Sequence, residues 1–334
     1  MSNAQKEPLL RVENLSVSFK TDDGIVRAVD RVSFDVMRGE ILGIVGESGC
    51  GKSVTAMSLL RLIPRPPGSI DSGKAWFGGR DLLSMPIEEL RGIRGRDISM
   101  IFQEPMTALS PLHRIGRQMV ETQQFHRDVD TATAWNIGVE WLKKVGIPDA
   151  AERMYAYPYE LSGGMRQRVM IAMALMLEPK LIIADEPTTA LDVTIQAQIL
   201  ALLREMKSRD TAVMLITHNL GVVWEMCSRM MVMYASEIVE TGGVDELFAN
   251  PAHPYTEALL KANPALAERR GKLETIPGQV PSPVNYPQGC RFQDRCPLVS
   301  EACRQQHPAI EIYSDRGVRC LLAESRIAKP GGAS

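Results

Sequence analysis

The sequence lacks any apolar run long enough to cross a membrane, and it lacks an excess of either charge. Even its long apolar runs, such as residues 169–177, fall well short of the roughly 20 residues that a membrane-spanning helix needs. Residues 1–8 are polar and do not have the pattern of a signal peptide. The formal net charge of −2 gives no electrostatic argument for a nucleic-acid partner. We therefore expect a soluble, cytoplasmic chain that does not bind nucleic acid.

Cysteine is scarce in the body of the chain and crowded towards its end. Of six cysteines among 334 residues, Cys50 and Cys227 lie in the body, and the others are Cys290, Cys296, Cys303 and Cys320. Thiols stay reduced in the cytosol, so clustered cysteines there favour metal ligation over disulfides. The length and the 45% apolar content allow one full α/β domain with a smaller second unit. The cysteine-rich tail is the candidate for that second unit.

An apolar segment, residues 41–45, runs directly into a glycine-rich loop that matches the pattern G-x-x-x-x-G-K-[ST]. Backbone amides of such a loop surround a β-phosphate, while Lys52 offsets phosphate charge and the Ser53 hydroxyl ligates Mg²⁺. Cys50 either gains thiolate character from these amides or is simply a small residue that fits. The predicted ATP-binding residues of the loop are Gly46, Ser48, Gly49, Cys50, Gly51, Lys52 and Ser53.

Two further phosphate-handling elements lie about twenty residues apart. Ser162, Gly163 and Gly164 open a predicted helix, whose first amides and positive dipole end attract an anion. Residues 181–184 form a short apolar run that predicts a buried parallel strand, and it is followed by Asp185 and Glu186. Adjacent carboxylates at the carboxyl end of such a strand suit the handling of a metal ion and a water molecule.

Together these elements resemble the signature and Walker B motifs of ABC-type ATPases, and residues 190–192 resemble the D-loop that follows. The resemblance implies that Asp185 holds Mg²⁺ with Ser53 and that Glu186 polarises the attacking water. It also implies that the Ser162 segment completes the nucleotide site of an opposite protomer, and that Asp192 contributes to nucleotide binding.

The positions of three further residues relative to these motifs suggest roles for them in the family. Phe19 matches the aromatic residue that stacks on adenine in the family, although a strand-end phenylalanine is also often a core residue. Gln103 matches the Q-loop glutamine, which contacts the metal and the attacking water. His218 follows another apolar strand and matches the switch histidine that contacts the γ-phosphate, although a lone histidine is more often structural.

The resemblance predicts an α/β fold of the P-loop NTPase class with a RecA-like core. Alternating apolar residues predict an antiparallel strand pair over residues 10–19 and 32–36, joined by a turn at residues 21–24. Residues 116–153 have a helical pattern. One predicted helix face there, which we expect to be core, carries Ala132, Trp135, Val139 and Leu142. The expected ABC nucleotide-binding domain is 1–243, with a helical subdomain at about 104–177.

The remaining residues, 244–334, predict a small C-terminal extension. Its segments 250–256, 276–283 and 290–297 resemble the extension peculiar to the peptide and nickel import branch of the ABC family. Its four cysteines are separated by five, six and sixteen residues, and none of these gaps is the two-residue step of zinc ribbons. The resemblance implies a [4Fe-4S] cluster; zinc, or packing thiols without a metal, are the alternatives.

The function implied by the resemblance is ATP hydrolysis that drives the uptake of dipeptides or oligopeptides through separate membrane-spanning subunits. The expected partners are a homologous ATPase subunit, in a heterodimer or a homodimer, two transmembrane permeases and, indirectly, a solute-binding protein. We expect the chain at the cytoplasmic face of the membrane. The alternatives are import of nickel or another small solute, a soluble ABC ATPase of DNA repair or translation, and a metal-binding regulatory protein.

Overall fold

The computed structural model describes residues 7–104, 108–189, 191–207, 211–263 and 275–327. The chain forms two compact units, which are described separately below. The first contains Met1–Val36, Ile41–Ser84 and Ile216–Ser334, and the second contains Met37–Glu40 and Met85–Leu215. Ala190, which belongs to the predicted D-loop, lies outside the described residues.

The strands and helices alternate along much of the chain, as an α/β protein requires. The strands are β1 (Leu10–Thr21), β2 (Gly24–Val36), β3 (Ile41–Val45), β4 (Gly68–Phe77), β5 (Arg80–Asp81), β6 (Ile98–Ile101), β7 (Leu181–Asp185), β8 (Ala212–Ile216), β9 (Arg229–Tyr234), β10 (Glu237–Gly243), β11 (Glu311–Tyr313) and β12 (Arg316–Val318).

The helices of the first half of the chain are α1 (Lys52–Leu59), α2 (Ile87–Ile93), α3 (Ile115–His126), α4 (Thr131–Lys144), α5 (Ala150–Arg153) and α6 (Gly163–Leu175). Those of the second half are α7 (Val193–Lys207), α8 (Leu220–Met226), α9 (Val244–Ala249), α10 (Pro254–Lys261), α11 (Glu301–Gln305) and α12 (Ala323–Ile327). None of the helices in the described ranges is both long enough and apolar enough to span a membrane.

In the first unit, an antiparallel sheet has the strand order β2-β1-β4-β5. Strand β1 buries Leu10, Val12, Leu15 and Val17, and irregularities in its pairing with β2 near Leu15 shift the alternation without breaking the sheet. The pairing of Thr21 with Gly24 closes the hairpin. The predicted strand pair and its turn are therefore confirmed.

The first unit also contains strands in the order β11-β12-β10-β9-β3. Strand β3 is parallel to β9, and each of its residues is buried, as expected for a continuous apolar strand that is covered on both faces. Strands β11 and β12 come from the C-terminal extension, and β12 pairs with β10. The extension thus lengthens the sheet that carries the glycine-rich loop.

A buried ion pair fastens the extension to this sheet. The Arg316 Nε donates to the Glu240 carboxylate at 2.9 Å, and an Arg316 Nη2 donates to the Asn250 carbonyl at 2.6 Å. The backbone N–H groups of Ala252 and His253 also donate to the Glu240 carboxylate, at 2.9 and 3.0 Å. Both side chains are almost fully buried, so each needs the other to satisfy its charge.

In the second unit, β6 and β7 form a parallel pair with β8 on the other side of β7. All three strands are buried throughout. Helix α6 packs on β6, and α4 packs on α3 and α6. The predicted strand before Asp185 is therefore confirmed, and so is the helical character of the segment that precedes it.

The predicted core face of α4 was wrong by a rotation about the helix axis. The buried residues are Ala134, Gly138, Trp141 and Leu142, so only Leu142 of the predicted face is fully buried. At Gly138 helix α4 lies close to its neighbour, because an added Cβ there would lie 2.7 Å from the Met154 Cε atom. Small residues that allow this approach select the buried face, and a count of apolar residues does not detect them.

Candidate nucleotide site

The glycine-rich loop is built for contact with its backbone. Gly46, Gly49 and Gly51 all have positive φ angles, which other residues adopt only with strain. A Cβ atom at Gly46 would lie 2.1 Å from the Met233 carbonyl oxygen, whereas a Cβ at Gly49 would meet nothing within 4 Å. The loop is therefore pressed against the sheet on one side and open on the other, where a ligand can reach the amides.

Helix α1 begins directly after this loop, with Gly51 as its N-cap and no side-chain capping bond. Its first amides are therefore not satisfied by a cap, which is the arrangement of a helix terminus that binds an anion. The Lys52 Nζ donates to the carbonyl groups of Gly46 and Glu47 at 2.7 and 3.0 Å. The loop thus fits a nucleotide phosphate, and the Lys52 ammonium group already lies against the loop.

Cys50 does not have the environment of a reactive thiol. Its side chain is 1% exposed, and burial raises the pKa of its thiol although Lys52 opposes the rise. The Lys52 Nζ lies 3.7 Å from the Cys50 sulfur. Of the two interpretations of Cys50, the small residue that fits is the one that the structure supports.

Phe19 and His218 also belong to the first unit. Phe19 is half-buried at the end of β1, and its ring lies along Gly68, where an added Cβ would come within 2.9 Å of it. His218 is exposed directly after β8. Their roles at adenine and at the γ-phosphate remain predictions.

Asn219 follows His218, and its local role needs no charge. Its side-chain oxygen accepts from the backbone N–H groups of Gly221 and Val222 at 3.0 and 3.3 Å, so it caps α8. Its own N–H donates to the Thr217 hydroxyl at 3.1 Å. These bonds hold the backbone on both sides of His218.

In the second unit, Gln103, Glu186 and Thr189 come together next to the end of β7. Asp185 is the buried last residue of β7, and Glu186 follows with a φ of 46°. The Gln103 Nε2 donates to the Glu186 carboxylate at 3.2 Å, and the Thr189 hydroxyl donates to the same oxygen at 3.0 Å. The left-handed backbone of Glu186 is strained for a residue with a side chain, and such strain is typical of active sites.

The Ser162 segment also has the predicted form of a helix terminus. Ser162 caps α6, because its hydroxyl accepts from the Met165 N–H at 3.3 Å. A Cβ at Gly163 would meet nothing within 4 Å, so the first turn is open to a ligand. Asp192 caps α7 in the same way, by accepting from the Ile195 N–H at 3.0 Å.

Sequence reasoning missed two residues that support this region. Gln167 is fully buried in α6, and its Nε2 donates to the Pro187 carbonyl at 2.6 Å. Thr189 is the second, through its bond to Glu186. A glutamine at an otherwise buried helix position is a usable signal, because a buried amide requires a hydrogen-bond partner; the threonine has no such signal.

The four tail cysteines are free thiols that influence one another. Burial raises the pKa of Cys290 to about 11, and the charges of the other three thiols add to the rise. The backbone also connects two of them, because the Cys290 N–H donates to the Cys303 carbonyl at 2.7 Å. Within the described ranges, no group of three or more potential ligands is placed to hold a metal ion. The predicted cluster and the alternative zinc ion therefore have no support from this geometry.

Comparison with known proteins identifies the family of the chain. A family model described as ABC transporter matches residues 29–189, and one described as oligopeptide/dipeptide transporter, C-terminal region, matches residues 239–303. A solved ATP-binding cassette, a dimer in a post-hydrolysis state bound to ADP and phosphate, is 26% identical with a TM-score of 0.64. The match covers 70% of this chain and 98% of that one.

Curated relatives match almost the whole chain. A probable peptide ABC transporter ATP-binding protein of Sinorhizobium fredii is 50% identical over 96% of each chain. The oligopeptide transport ATP-binding protein OppD of Haemophilus influenzae is 50% identical over 96% of this chain and 98% of its own. The dipeptide transport ATP-binding protein DppD of Escherichia coli is 46% identical over 92% and 94%.

The fold and the site thus define a P-loop ATPase of the ABC type, and the predicted resemblance and α/β fold class are confirmed. Within that class, the chain belongs to the family of ABC transporter ATP-binding proteins that carry the oligopeptide/dipeptide transporter C-terminal region. ATP and Mg²⁺ are the cofactors expected of such an ATPase.

Proposed function

We propose that this protein hydrolyses ATP to energise the import of dipeptides or oligopeptides across the cytoplasmic membrane. The observation that carries the proposal is the match of residues 239–303 to the oligopeptide/dipeptide transporter region, in a chain whose nucleotide-site residues are all present. The relatives named above are described as peptide transport ATP-binding proteins. Nickel or another small solute is the competing cargo.

The chemistry assigned to each residue follows from its type and its local environment. The P-loop amides and Lys52 would hold the phosphates, and Ser53 and Asp185 would hold the Mg²⁺, which offsets charge on the phosphates when bound. Glu186 would orient the attacking water as general base. Gln103 contacts the Glu186 carboxylate directly, so it is suited to couple the position of that base to its own loop.

The remaining predicted roles concern recognition of the nucleotide. Phe19 would stack on adenine, and His218 would contact the γ-phosphate. The open first turn of α6 at Ser162, Gly163 and Gly164, with Asp192, would face nucleotide in an opposite protomer. We propose a nucleotide-binding domain over 1–243 with a helical subdomain at about 104–177, followed by the extension, 244–334.

The assembly that this function requires has further subunits. We propose a dimer with a homologous ATPase subunit, two transmembrane permeases that the dimer drives, and a solute-binding protein that delivers the cargo to them. The chain would then lie peripherally at the cytoplasmic face of the membrane. A soluble ABC ATPase of DNA repair or translation would require neither the permeases nor the solute-binding protein.

Co-expression with candidate permease subunits tests the assembly. The complex, reconstituted in liposomes, is expected to hydrolyse ATP faster when the solute-binding protein is loaded with peptide than when it is empty. A Glu140→Gln variant serves as a surface control, because Glu140 is exposed and pairs with Lys143. Failure to co-purify with membrane subunits, or stimulation by nickel and not by peptide, would contradict the proposal.

We further propose that the four tail cysteines hold a [4Fe-4S] cluster with a structural role. Two of the four cysteines are joined through the backbone, because the Cys290 N–H donates to the Cys303 carbonyl at 2.7 Å. Cysteine thiolates are the ligands that hold iron–sulfur clusters. Four cysteines supply the ligand number that such a cluster requires.

Anaerobic purification tests this assignment. The protein is expected to be brown with about four iron and four labile sulfide per chain, and Cys296→Ser is expected to remove the colour. Cys227→Ser, at a buried cysteine outside the tail, is the matched control and should remain brown. A content of one zinc per chain would show that the cysteines form a zinc site. A metal-free protein with unchanged thermal stability would show that they are packing thiols.

A further inference from the structure

An acidic residue lies inside the phosphate-binding loop, and the C-terminal extension holds it in two ways. The Glu47 backbone N–H donates to the Tyr255 hydroxyl at 2.9 Å. The Glu47 carboxylate receives two bonds from one guanidinium, at 2.6 Å from the Arg295 Nη1 and 2.9 Å from the Arg295 Nη2. This is the bidentate geometry in which an arginine and a carboxylate interact most strongly.

The Arg295 side chain is buried and held by several hydrogen bonds, unlike that of an ordinary surface ion pair. Its side chain is only 4% exposed, and its Nε and Nη2 donate to the carbonyl groups of Pro277 and Ile276 at 2.9 and 3.3 Å. The guanidinium also lies 5.7 Å from the ring centre of Tyr234. Because its other donors are already bonded, the guanidinium has one available orientation, and that orientation faces Glu47.

Tyr255 is fixed by packing. It is fully buried, and its ring centre lies 4.6 Å from that of Tyr234 and 5.4 Å from that of Phe292. Phe292 and Arg295 belong to the same short segment, residues 290–296. A third residue of that segment, Arg291, donates to the Ala235 carbonyl at 2.6 Å. The segment is therefore seated on the sheet by several side chains at once.

Glu47 also contacts Lys52, the cation that is predicted to bind the phosphates. The Glu47 carbonyl accepts from the Lys52 Nζ at 3.0 Å, so a displacement of the Glu47 backbone moves an acceptor of that ammonium group. The Glu47 carboxylate would also repel a nucleotide phosphate if its charge were not offset. Arg295 offsets that charge, and Tyr255 fixes the backbone.

We propose that Arg295 and Tyr255 are positioning residues for phosphate binding, and that through Glu47 the C-terminal extension sets the nucleotide affinity of the P-loop. The proposal rests on the proposed ATPase function, since it concerns the same site. It gives a role to a P-loop position at which the motif permits any residue. It also gives the extension a function in the ATPase cycle that does not depend on what the four cysteines hold.

The test is a double-substitution cycle read as MgATP affinity by titration calorimetry. Arg295→Gln is expected to weaken binding about tenfold, because it leaves the Glu47 charge without its partner beside the phosphate loop. Adding Glu47→Gln removes that charge, so the double variant is expected to recover most of the lost affinity. Arg295→Lys keeps the charge without the fork and should give an intermediate affinity.

The kinetic readout separates positioning from catalysis. The KM for ATP is expected to rise in Arg295→Gln while kcat at saturating ATP stays close to that of the wild type. Arg304→Gln is the matched control, since Arg304 lies in the same extension with an exposed side chain paired to Asp294. Tyr255→Phe keeps the buried ring and removes only the hydroxyl, and we expect a smaller loss of affinity, about threefold.

Three outcomes would overturn this proposal. The first is a folded Arg295→Gln protein with unchanged MgATP affinity, and the second is a double variant as weak as Arg295→Gln alone. Where Arg295→Gln does not fold, Arg295→Lys and Tyr255→Phe carry the test, and unchanged affinity in both is the third. Failure of the wild-type protein itself to bind MgATP would instead overturn the proposed function.

Discussion

The P-loop and the segment 290–296 are both short loops, but they act through different parts of the chain. The P-loop presents backbone amides, and its glycines Gly46, Gly49 and Gly51 serve to keep side chains out of the way. The segment 290–296 acts through long side chains, above all Arg295, whose partner Glu47 is 248 residues away in the sequence. The P-loop can therefore act through its own backbone, whereas the segment 290–296 acts only through contacts with residues far away in the sequence.

This difference predicts how each region responds to substitution. Changes at the nucleotide motifs should alter affinity or rate while the folded state persists, because the side chains concerned lie at the open ends of strands and helices. Changes in the extension should also alter the free energy of unfolding, because several of its charged side chains are buried.

Glu186→Gln is expected to lower the rate of ATP hydrolysis by about 10²- to 10⁴-fold, since the amide cannot act as general base. ATP binding should persist, and the variant should accumulate a closed, ATP-bound dimer. Steady-state phosphate release measures the rate, with Glu140→Gln as the surface control. Turnover like that of the wild type would remove Glu186 from the catalytic role.

Arg316→Met is expected to lower the free energy of unfolding by about 3–5 kcal/mol, because it leaves the buried Glu240 carboxylate without its counter-charge. Urea denaturation measures the difference. Arg11→Met, which breaks an exposed pair with Asp35, is the control and should change stability by less than about 1 kcal/mol. Equal effects of the two substitutions would show that the extension is not anchored through this pair.

Lys52→Ala is expected to weaken MgATP binding about 10- to 100-fold, because the phosphates lose a charged donor in a site otherwise made of neutral amides. The thermal stability without nucleotide should change little by comparison. Titration calorimetry measures the affinity. An unchanged dissociation constant would contradict the assignment of this loop to phosphate binding.

Acid should destabilise the protein through His253. Burial lowers the pKa of His253 to about 3 in the folded state, and the charges of Arg326 and Arg319 act in the same direction. The unfolded chain, with a pKa of about 6.5, binds the proton more readily, so stability is lost as the pH falls below that value. From pH 7.5 to 5.5 this one group should cost about 1.4 kcal/mol.

Denaturation curves at the two pH values check this contribution, with His253→Gln as the variant and His113→Gln, at a partly exposed histidine, as the control. The loss of stability between pH 7.5 and 5.5 should be smaller in His253→Gln than in the wild type. An identical loss in both would show that other groups cause the acid sensitivity.

The parts of the fold that sequence predicted well are those that are fixed locally. The strand β3, the glycine-rich loop and α1 follow one another without interruption, so a single motif describes all three. The buried strand before Asp185 was likewise evident, because residues 181–184 form an unbroken apolar run. Pairing of β12 with β10 was not predictable, because it depends on contacts between residues far apart in the chain.

The misplaced face of α4 and the missed Arg295 contact share a cause. The buried face of α4 is selected by close approach at Gly138, and the role of Arg295 is selected by a carboxylate in a distant loop. Apolar periodicity and motif spacing contain neither kind of information. The contact between Gln103 and Glu186 also joins distant residues, but it could be anticipated because the family resemblance assigned both residues to the attacking water.

Uptake of labelled peptide tests the central claim most directly. Liposomes that hold the complete complex, with this chain and MgATP on the side that corresponds to the cytoplasm, should accumulate labelled dipeptide or oligopeptide. Replacement of ATP by a non-hydrolysable analogue, or of this chain by Glu186→Gln, should abolish accumulation. Peptide uptake that continues without ATP hydrolysis by this chain, or ATP-driven uptake of nickel with none of peptide, would contradict the account.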